Sequence, residues 1–199
     1  MTTGFFAQLS RAVAAVSIIV GLALAAACSG QDSRNDSQPF TADLGQAGAY
    51  WLAPDTIAWD APGDSRVILR YSDTASMAVT PAGLWGGKQL ELQRDGTVEG
   101  ELAGKFPHLA GLPVFRLDEA GLALVPEILK SQSAVTAVDS SDMPLAATSL
   151  QPAGVLDALY ANDDELGVAF EAGRPRFRLW APTARSVKLL LFDDSNPAS

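Results

Sequence analysis

One cysteine and one histidine in 199 residues remove several chemistries at the outset. Cys28 alone can build neither a disulfide framework nor a thiolate metal cluster, and His108 alone cannot make a histidine zinc site. Nothing around His108, in its Lys105-Phe106-Pro107-His108 loop, supports a Ser-His-Asp triad either. Basic residues are scarce as well: 14 Lys and Arg stand against 23 Asp and Glu, a formal charge of −9. Phosphate backbones repel a chain this acidic, which argues against nucleic acid as a partner. Gly86-Gly87-Lys88 is no phosphate loop, because the required Gly-x4-Gly-Lys-Ser/Thr is missing. The uncharged stretch Ala12 to Ala27 is 16 residues long, short of the roughly 20 that span a bilayer as a helix. Stability has to come from apolar burial within a core of modest size.

That N-terminal stretch is the most informative part of what is there. Met1 to Arg11 supply one side-chain charge, an apolar run follows, and the small residues Ala25-Ala26-Ala27 lead into Cys28. This is the order of an export signal. The alanines before the cysteine resemble the bacterial lipobox, in which the thiol takes a diacylglyceryl group and cysteine becomes the new N-terminus. The usual pattern places Leu three residues before Cys; here Leu24 is four before it and Ala25 takes that place. The expectation is a signal helix over residues 1–27 with Cys28 as the lipid-attachment residue. An ordinary cleaved signal and an uncleaved anchor are the competing readings, and the short apolar run disfavours the anchor. Ser29 is not the aspartate that retains some lipoproteins at the inner membrane. By that family rule the protein is expected outside the cytoplasm, membrane-anchored at the outer membrane or cell surface, or secreted. Residues 28–47 are polar and aperiodic, as a flexible tether would be.

The remainder is 48% apolar by whole-chain count and is broken by many of the 17 glycines and 12 prolines. That composition predicts short strands and turns rather than long helices. Tyr50 to Leu52 and Thr56 to Trp59 flank the turn residues Pro54-Asp55. In Arg66 to Tyr71, Val67, Leu69 and Tyr71 alternate with Arg66 and Arg70, the pattern of a half-buried strand. Leu90 to Gln93 and Thr97 to Leu102 flank Asp95-Gly96, a strong hairpin signal. Ala120 to Val125 and Ala134 to Val138 read as further strands, joined by about one helical turn over residues 126–130. Val155, Leu156, Leu159 and Tyr160 fall at helical spacing behind Pro152. Strands resume at Gly167 to Glu171, Arg176 to Trp180 and Ser186 to Phe192. The fold class expected is all-β: an immunoglobulin-like β-sandwich over 48–150, a short helical linker over 151–165, and over 166–199 the first strands of a second, truncated sandwich.

Two groups of residues carry a family resemblance. Leu179-Trp180-Ala181-Pro182-Thr183-Ala184-Arg185-Ser186-Val187-Lys188-Leu189 resembles the opening strands of the family 48 carbohydrate-binding module, which precedes the catalytic barrel in starch and glycogen debranching enzymes. Tyr50-Trp51-Leu52, Asp55 to Trp59, Gly104 to Leu109 and Gly154 to Ala161 resemble the domain ahead of that module in bacterial pullulanases. A lipoprotein signal also occurs in that family. The joint order of these pieces resembles the N-terminal part of a pullulanase-type α-1,6-glucosidase. The resemblance implies an α-glucan partner (pullulan, amylopectin or glycogen), a membrane contact through the lipid, and no cofactor in this part. The family's chemistry is retaining hydrolysis by two carboxyl groups on a (β/α)8 barrel of about 250 residues. No position here matches its catalytic motifs, so no catalytic residue is expected. The alternative is a free-standing surface lipoprotein whose sandwich binds a protein.

Glu99 and Glu101, two apart on an expected strand, read as solvated surface rather than a catalytic pair. Asn162 to Glu165 is one acidic cluster without the spaced loop of a calcium site. A loop-shaping hydrogen bond suits His108. Glucose rings stack on aromatic faces, which makes the four tryptophans candidates. Trp51 and Trp59 read as core. Trp85, in Pro-Ala-Gly-Leu-Trp-Gly-Gly, and Trp180 are the carbohydrate-contact candidates, with packing the favoured role for Trp180 and the competing one for Trp85.

Overall fold

A computed structural model describes residues 40–192 and 194. The signal segment 1–27, Cys28 and the tether through residue 39 lie outside the described residues. In chain order the elements are β1 (Thr41–Ala53), β2 (Thr56–Trp59), β3 (Arg66–Ser72), β4 (Ala78–Thr80), β5 (Gly83–Trp85), β6 (Lys88–Thr97), α1 (Gly100–Lys105), a 3-10 turn (Pro107–Leu109), β7 (Pro113–Arg116), α2 (Glu119–Ile128), β8 (Gln132–Val138), β9 (Pro144–Gln151), α3 (Ala153–Tyr160), β10 (Gly167–Glu171) and β11 (Arg174–Arg178). Strand dominates, as the composition leads one to expect.

The strands do not stack as two sheets. Seven of them form one closed barrel in the order β1-β2-β7-β6-β3-β8-β9, where the sequence reading expected an immunoglobulin-like sandwich. The difference lies in β1. Its last residues pair antiparallel with β2, from Ala49↔Trp59 to Ala53↔Thr56, while its length from Thr41↔Ala146 to Tyr50↔Gln151 runs parallel to β9. One strand thus joins two edges that a sandwich would leave apart. Residues 41–47, expected to be tether, are the first half of this strand. In Thr41-Ala42-Asp43-Leu44-Gly45 the polar and glycine positions are exposed and Ala42 and Leu44 are half-buried.

Several further expectations are corrected. Residues 120–125 are helical, within α2, because Asp118 caps the helix by accepting a hydrogen bond from the Gly121 N–H at 2.7 Å. Gly121, Val125 and Ile128 then share the buried face. A short apolar run is ambiguous between strand and helix by periodicity alone, and the cap resolves it. Asp95-Gly96 makes no hairpin: β6 continues through it, with a bulge against β7 between Arg94↔Phe115 and Thr97↔Pro113. The left-handed φ of +70° at Gly96 serves that bulge. Residues beyond Thr97 enter α1 instead of a strand, so Glu99 becomes its N-cap and Glu101 part of its first turn. Residues 186–192 form no strand, and Val187, Leu189, Leu191 and Phe192 are exposed. Their alternation has no pairing partner among the described residues. At the second hairpin, β11 starts at Arg174, directly after Ala172-Gly173, whose φ values of +50° and +78° form the turn.

Two of the three apolar cores lie on opposite faces of the barrel wall, and Met77, Leu84, Ala134 and Ala147 make the third. Trp51, Ile57, Val67, Leu69, Phe115 and Val135 are buried in one, joined by Val125 and Ile128 of α2 and Val155 of α3. Leu52, Ala58, Val98, Leu109 and Val114 make the second, packed by Leu102 and Phe106 of the α1 region. Adjacent residues such as Trp51 and Leu52, or Ile57 and Ala58, therefore face different cores, which is why all four residues of β2 are buried. The alternation read in β3 holds: Val67, Leu69 and Tyr71 are buried.

At the barrel rim, Arg116 of β7 donates through Nε to Asp95 at 2.6 Å and through Nη1 to Asp55 at 2.7 Å and Thr56 at 2.8 Å. This ties the β1–β2 turn to β6. Burial opposes ionisation of Asp55, but the hydrogen bonds from Thr56 and Arg116 outweigh it and hold its carboxyl below the ordinary value. A depressed carboxyl contributes stability above the unfolded value of about 3.9 and loses it as pH falls through the native one. The stability gap between the native chain and Asp55→Asn should be present near neutral pH and close on acidification. Because these side chains are about a third exposed, it should stay under about 1 kcal/mol. Urea unfolding as a function of pH measures it, and a gap that widened below pH 4 would contradict the assignment.

Helix α3 is seated on β1 through Gly154. A Cβ there would stand 2.7 Å from Leu52 Cα and from Leu52 O, and 2.9 Å from Trp51 O. These are backbone atoms that cannot move aside. Alanine gains about 1 kcal/mol of helix propensity over glycine, but overpacking costs about 1–3 kcal/mol, and more against fixed backbone. Gly154→Ala should therefore destabilise the chain in urea unfolding despite its better propensity. A stabilised variant would show that α3 is not held at this contact.

Candidate functional site

The four tryptophans separate into two roles. Trp51 and Trp59 are buried, and Trp51 Nε1 donates to the Pro54 carbonyl at 3.2 Å. Trp180 is 40% exposed and Trp85 is 68% exposed. The Trp180 ring is fixed by its Nε1, which donates to the carbonyl of Tyr160 at the end of α3, 2.7 Å away. Between them lies an open groove lined by Tyr160, Ala161, Asn162, Leu179, Trp180, Ala181 and Pro182. Two aromatic side chains and one amide thus surround a surface with no carboxylate in its lining. Asn162 Oδ1 accepts from the Asp164 N–H at 2.7 Å, which leaves its amide N–H groups to face the groove or solvent. Such a surface can hold an apolar ring face and a few hydroxyls. It offers no acid and no nucleophile.

Trp85 stands elsewhere, at the end of β5, paired across its hairpin with Ala78. Arg70 Nη1 donates to the Gly86 carbonyl at 3.3 Å and fixes the loop after it. Residues 74–87 contain no amide and no charged side chain, so its own hairpin brings no amide to Trp85 as Asn162 comes to Trp180.

Next to the groove, β10 and β11 form an exposed hairpin. Its register, Val168↔Phe177 and Phe170↔Pro175, gathers apolar residues on one face, while Ala169↔Arg176 and Glu171↔Arg174 fall on the other. Arg176 and Glu171 pair at 2.7 Å. Arg185 Nε reaches back to the Lys130 carbonyl at 2.8 Å, fastening the following segment to the end of α2.

The remaining sequence candidates make no reactive constellation. Glu99 and Glu101 are exposed at the start of α1. His108 makes an edge-on ring contact with Tyr50, centroids 6.2 Å apart, rather than the expected hydrogen bond. Among the described residues no three His, Cys, Asp or Glu side chains converge as a metal site would need. Cys28 lies outside the described residues. Sequence reasoning missed Tyr160 and Asn162 as the second wall of the Trp180 groove. Their position right after a helical period was the available signal, since a helix end is where a chain turns back on itself.

With this geometry in place, comparison with known proteins gives a consistent answer. Residues 46–158 match the Pullulanase N2 domain family. The chain is 31% identical over 165 residues to a pullulanase of Klebsiella pneumoniae, an alignment covering 81% of this chain and 15% of that protein. It is 29% identical over 147 residues to the chloroplastic pullulanase 1 of Arabidopsis thaliana, covering 72% and 15%. Among solved structures, the maltotriose complex of PulA from Klebsiella pneumoniae superposes with a TM-score of 0.63 at 31% identity, covering 72% of this chain and 16% of that one. PulA from Klebsiella oxytoca gives a TM-score of 0.64 at 31% identity, covering 74% and 14%. The chain spans 15% of the length of these curated relatives. Sequence and fold agree over the same barrel, and this chain belongs to the Pullulanase N2 domain family.

Proposed function

We propose that this chain is a non-catalytic, N-terminal accessory part of a secreted, lipid-anchored pullulanase-type debranching enzyme, and that it positions the enzyme on α-glucan. The parent reaction is hydrolysis of α-1,6 branch points by two carboxyl groups on a (β/α)8 barrel. Residues 166–192 serve as the start of a family 48 carbohydrate-binding module, whose apolar hairpin face packs on the rest of that module. The barrel packs in turn against the catalytic part.

The Tyr160–Trp180 groove carries the glucan part of this reading. The C–H face of a pyranose is apolar and its rim is hydroxylated. An indole held in place by its own N–H bond to Tyr160, with an amide beside it, suits both features. One solved PulA is a maltotriose complex, which makes a linear α-glucan the ligand to test. Trp85 is set aside for this role because its own hairpin, residues 74–87, brings no amide beside it. A retaining pair needs carboxyls about 5–5.5 Å apart, and the groove lining has none, so the reading is binding without cleavage.

Affinity electrophoresis in gels containing amylopectin tests the groove. The chain should be retarded, Trp180→Ala should lose most of the retardation, and Trp180→Phe should keep part of it because stacking survives. Equal mobility with and without polysaccharide would overturn the glucan reading.

The anchor has its own test. If Cys28 carries the lipid, Cys28→Ser should abolish labelling by a fatty-acid analogue and shift the protein from the membrane fraction to the soluble one. One acyl chain binds marginally, whereas two or more hold firmly. Unchanged membrane retention of the variant would remove the lipoprotein reading and bring back the uncleaved signal segment as the anchor.

A further inference from the structure

A second concave surface lies on the β10–β11 hairpin. The strands pair Gly167↔Arg178, Ala169↔Arg176 and Glu171↔Arg174, so these six residues share one face. Gly167 and Ala169 fill little of their half of it. A cleft is left there, walled by Arg176 and Arg178 of β11, by Glu165 ahead of β10 and by Glu171 at its far end. It encloses about 180 Å³, the space of about six waters, which suits one small ring.

The charges of the lining decide what enters. Two carboxylates, Glu165 and Glu171, balance two guanidiniums, Arg176 and Arg178. A free cation or a free anion gains little from so even a wall. Glu171 and Arg176 hold one another at 2.7 Å. Glu165 and Arg178 have no ion partner among the described residues, so acceptors on one wall and donors on the other remain open. The ligand that uses both is neutral and carries hydroxyls on adjacent atoms, each able to donate and accept, as a sugar ring does. Hydrogen bonds of this kind, with one charged partner, are the stronger ones. Leu166, also in the lining and 51% exposed, adds apolar surface for the C–H side of such a ring.

Position agrees with chemistry. The Tyr160–Trp180 groove and this cleft meet along both legs of the hairpin. From Asn162 in the groove to Glu165 in the cleft the chain spans at most about 11 Å, and from Arg178 to Trp180 at most about 7 Å. We propose that the cleft is a second glucose subsite, in which Arg178 and Glu165 bind the hydroxyls of a ring further along the α-glucan chain that the groove holds. This rests on the glucan reading of the groove, and it makes the chain favour long α-glucans over short ones.

Isothermal titration of the full chain with maltose and with maltohexaose tests the subsite through the ratio of the two affinities. Maltohexaose should bind more tightly, and Arg178→Met should cut the ratio about tenfold, the worth of a hydrogen bond to a charged group. Arg178 is exposed, so the substitution spares the fold. Arg174→Met, on the same face but outside the cleft lining, should leave the ratio as it was. An unchanged ratio in Arg178→Met, or an equal fall in Arg174→Met, would overturn the subsite and leave the groove standing. Displacement of maltohexaose by millimolar glycine would assign the cleft to a zwitterion and overturn it as well. Failure of the native chain to bind maltohexaose at all would remove groove and subsite together, and the amylopectin gels with Trp180→Ala decide the groove on their own.

Discussion

β1 has two neighbours to satisfy, one antiparallel and one parallel, and the seam with β9 is where those demands meet. The parallel register slips twice, between Asp43 and Ala47 and between Ala47 and Ala49. Each slip takes backbone groups out of the regular ladder, and such groups need other partners. Thr148 supplies them: its hydroxyl accepts from the Gly48 N–H at 2.8 Å and donates to the Gln46 carbonyl at 3.0 Å. Gln151 Nε2 adds a bond to the Ala47 carbonyl at 3.1 Å. A Cβ on Gly48 would stand 3.1 Å from the Thr148 hydroxyl, so the bulge and the threonine fit each other closely. Without this seam, β9 and β1 would each carry a raw edge, the usual template for aggregation. The barrel is closed because two polar side chains of β9 replace the bonds that β1 gives up by bulging.

That seam also explains which parts of the fold were legible in the sequence. β2, β3, β10 and α3 were readable because each declares its period locally: three β-branched or aromatic residues among the four of β2, Val67-Leu69-Tyr71 alternation, a Gly-bounded strand, or the 155-156-159-160 spacing. β1 was half hidden. Its first residues are small and polar, and what makes them a strand is an edge contributed by residues about a hundred positions away. Local composition cannot register a partner that distant. Asp95-Gly96 failed for a related reason. The dipeptide reports a left-handed backbone position, and a bulge within β6 uses that position as readily as a hairpin does. In α2 the signal was present, in Asp118 at the N-cap, but the apolar run behind it outweighed it.

The candidate site was legible in its residue types and not in its assembly. Trp180 stood out as an aromatic in a glucan-associated motif, yet packing was the favoured reading for it. Its exposure is settled by one hydrogen bond across twenty residues, from its indole to the Tyr160 carbonyl. Tyr160 itself is half-buried against the core, so the same side chain serves the helix on one side and lines the groove on the other. Trp51 and Trp59 resolved as core because the two faces of β1 and β2 both carry apolar partners. Exposure of an aromatic is thus a tertiary property. The sequence can nominate Trp85 and Trp180 but cannot rank their surroundings.

The route from the barrel to the groove runs through α3. Gly154 lets the helix lie directly on the Trp51–Leu52 backbone, and Val155 is fully buried beneath it. The helix therefore has little freedom to rock, and its last residue, Tyr160, presents its carbonyl from a fixed point. Trp180 docks on that point, and Arg185 adds a second attachment at Lys130. The β10–β11 hairpin between these contacts has little burial of its own, and an isolated hairpin is marginal in water. Its placement therefore depends on the two attachments and, through them, on the closure of β1 against β9. The groove wall is rigid to the extent that the seam between β1 and β9 is intact.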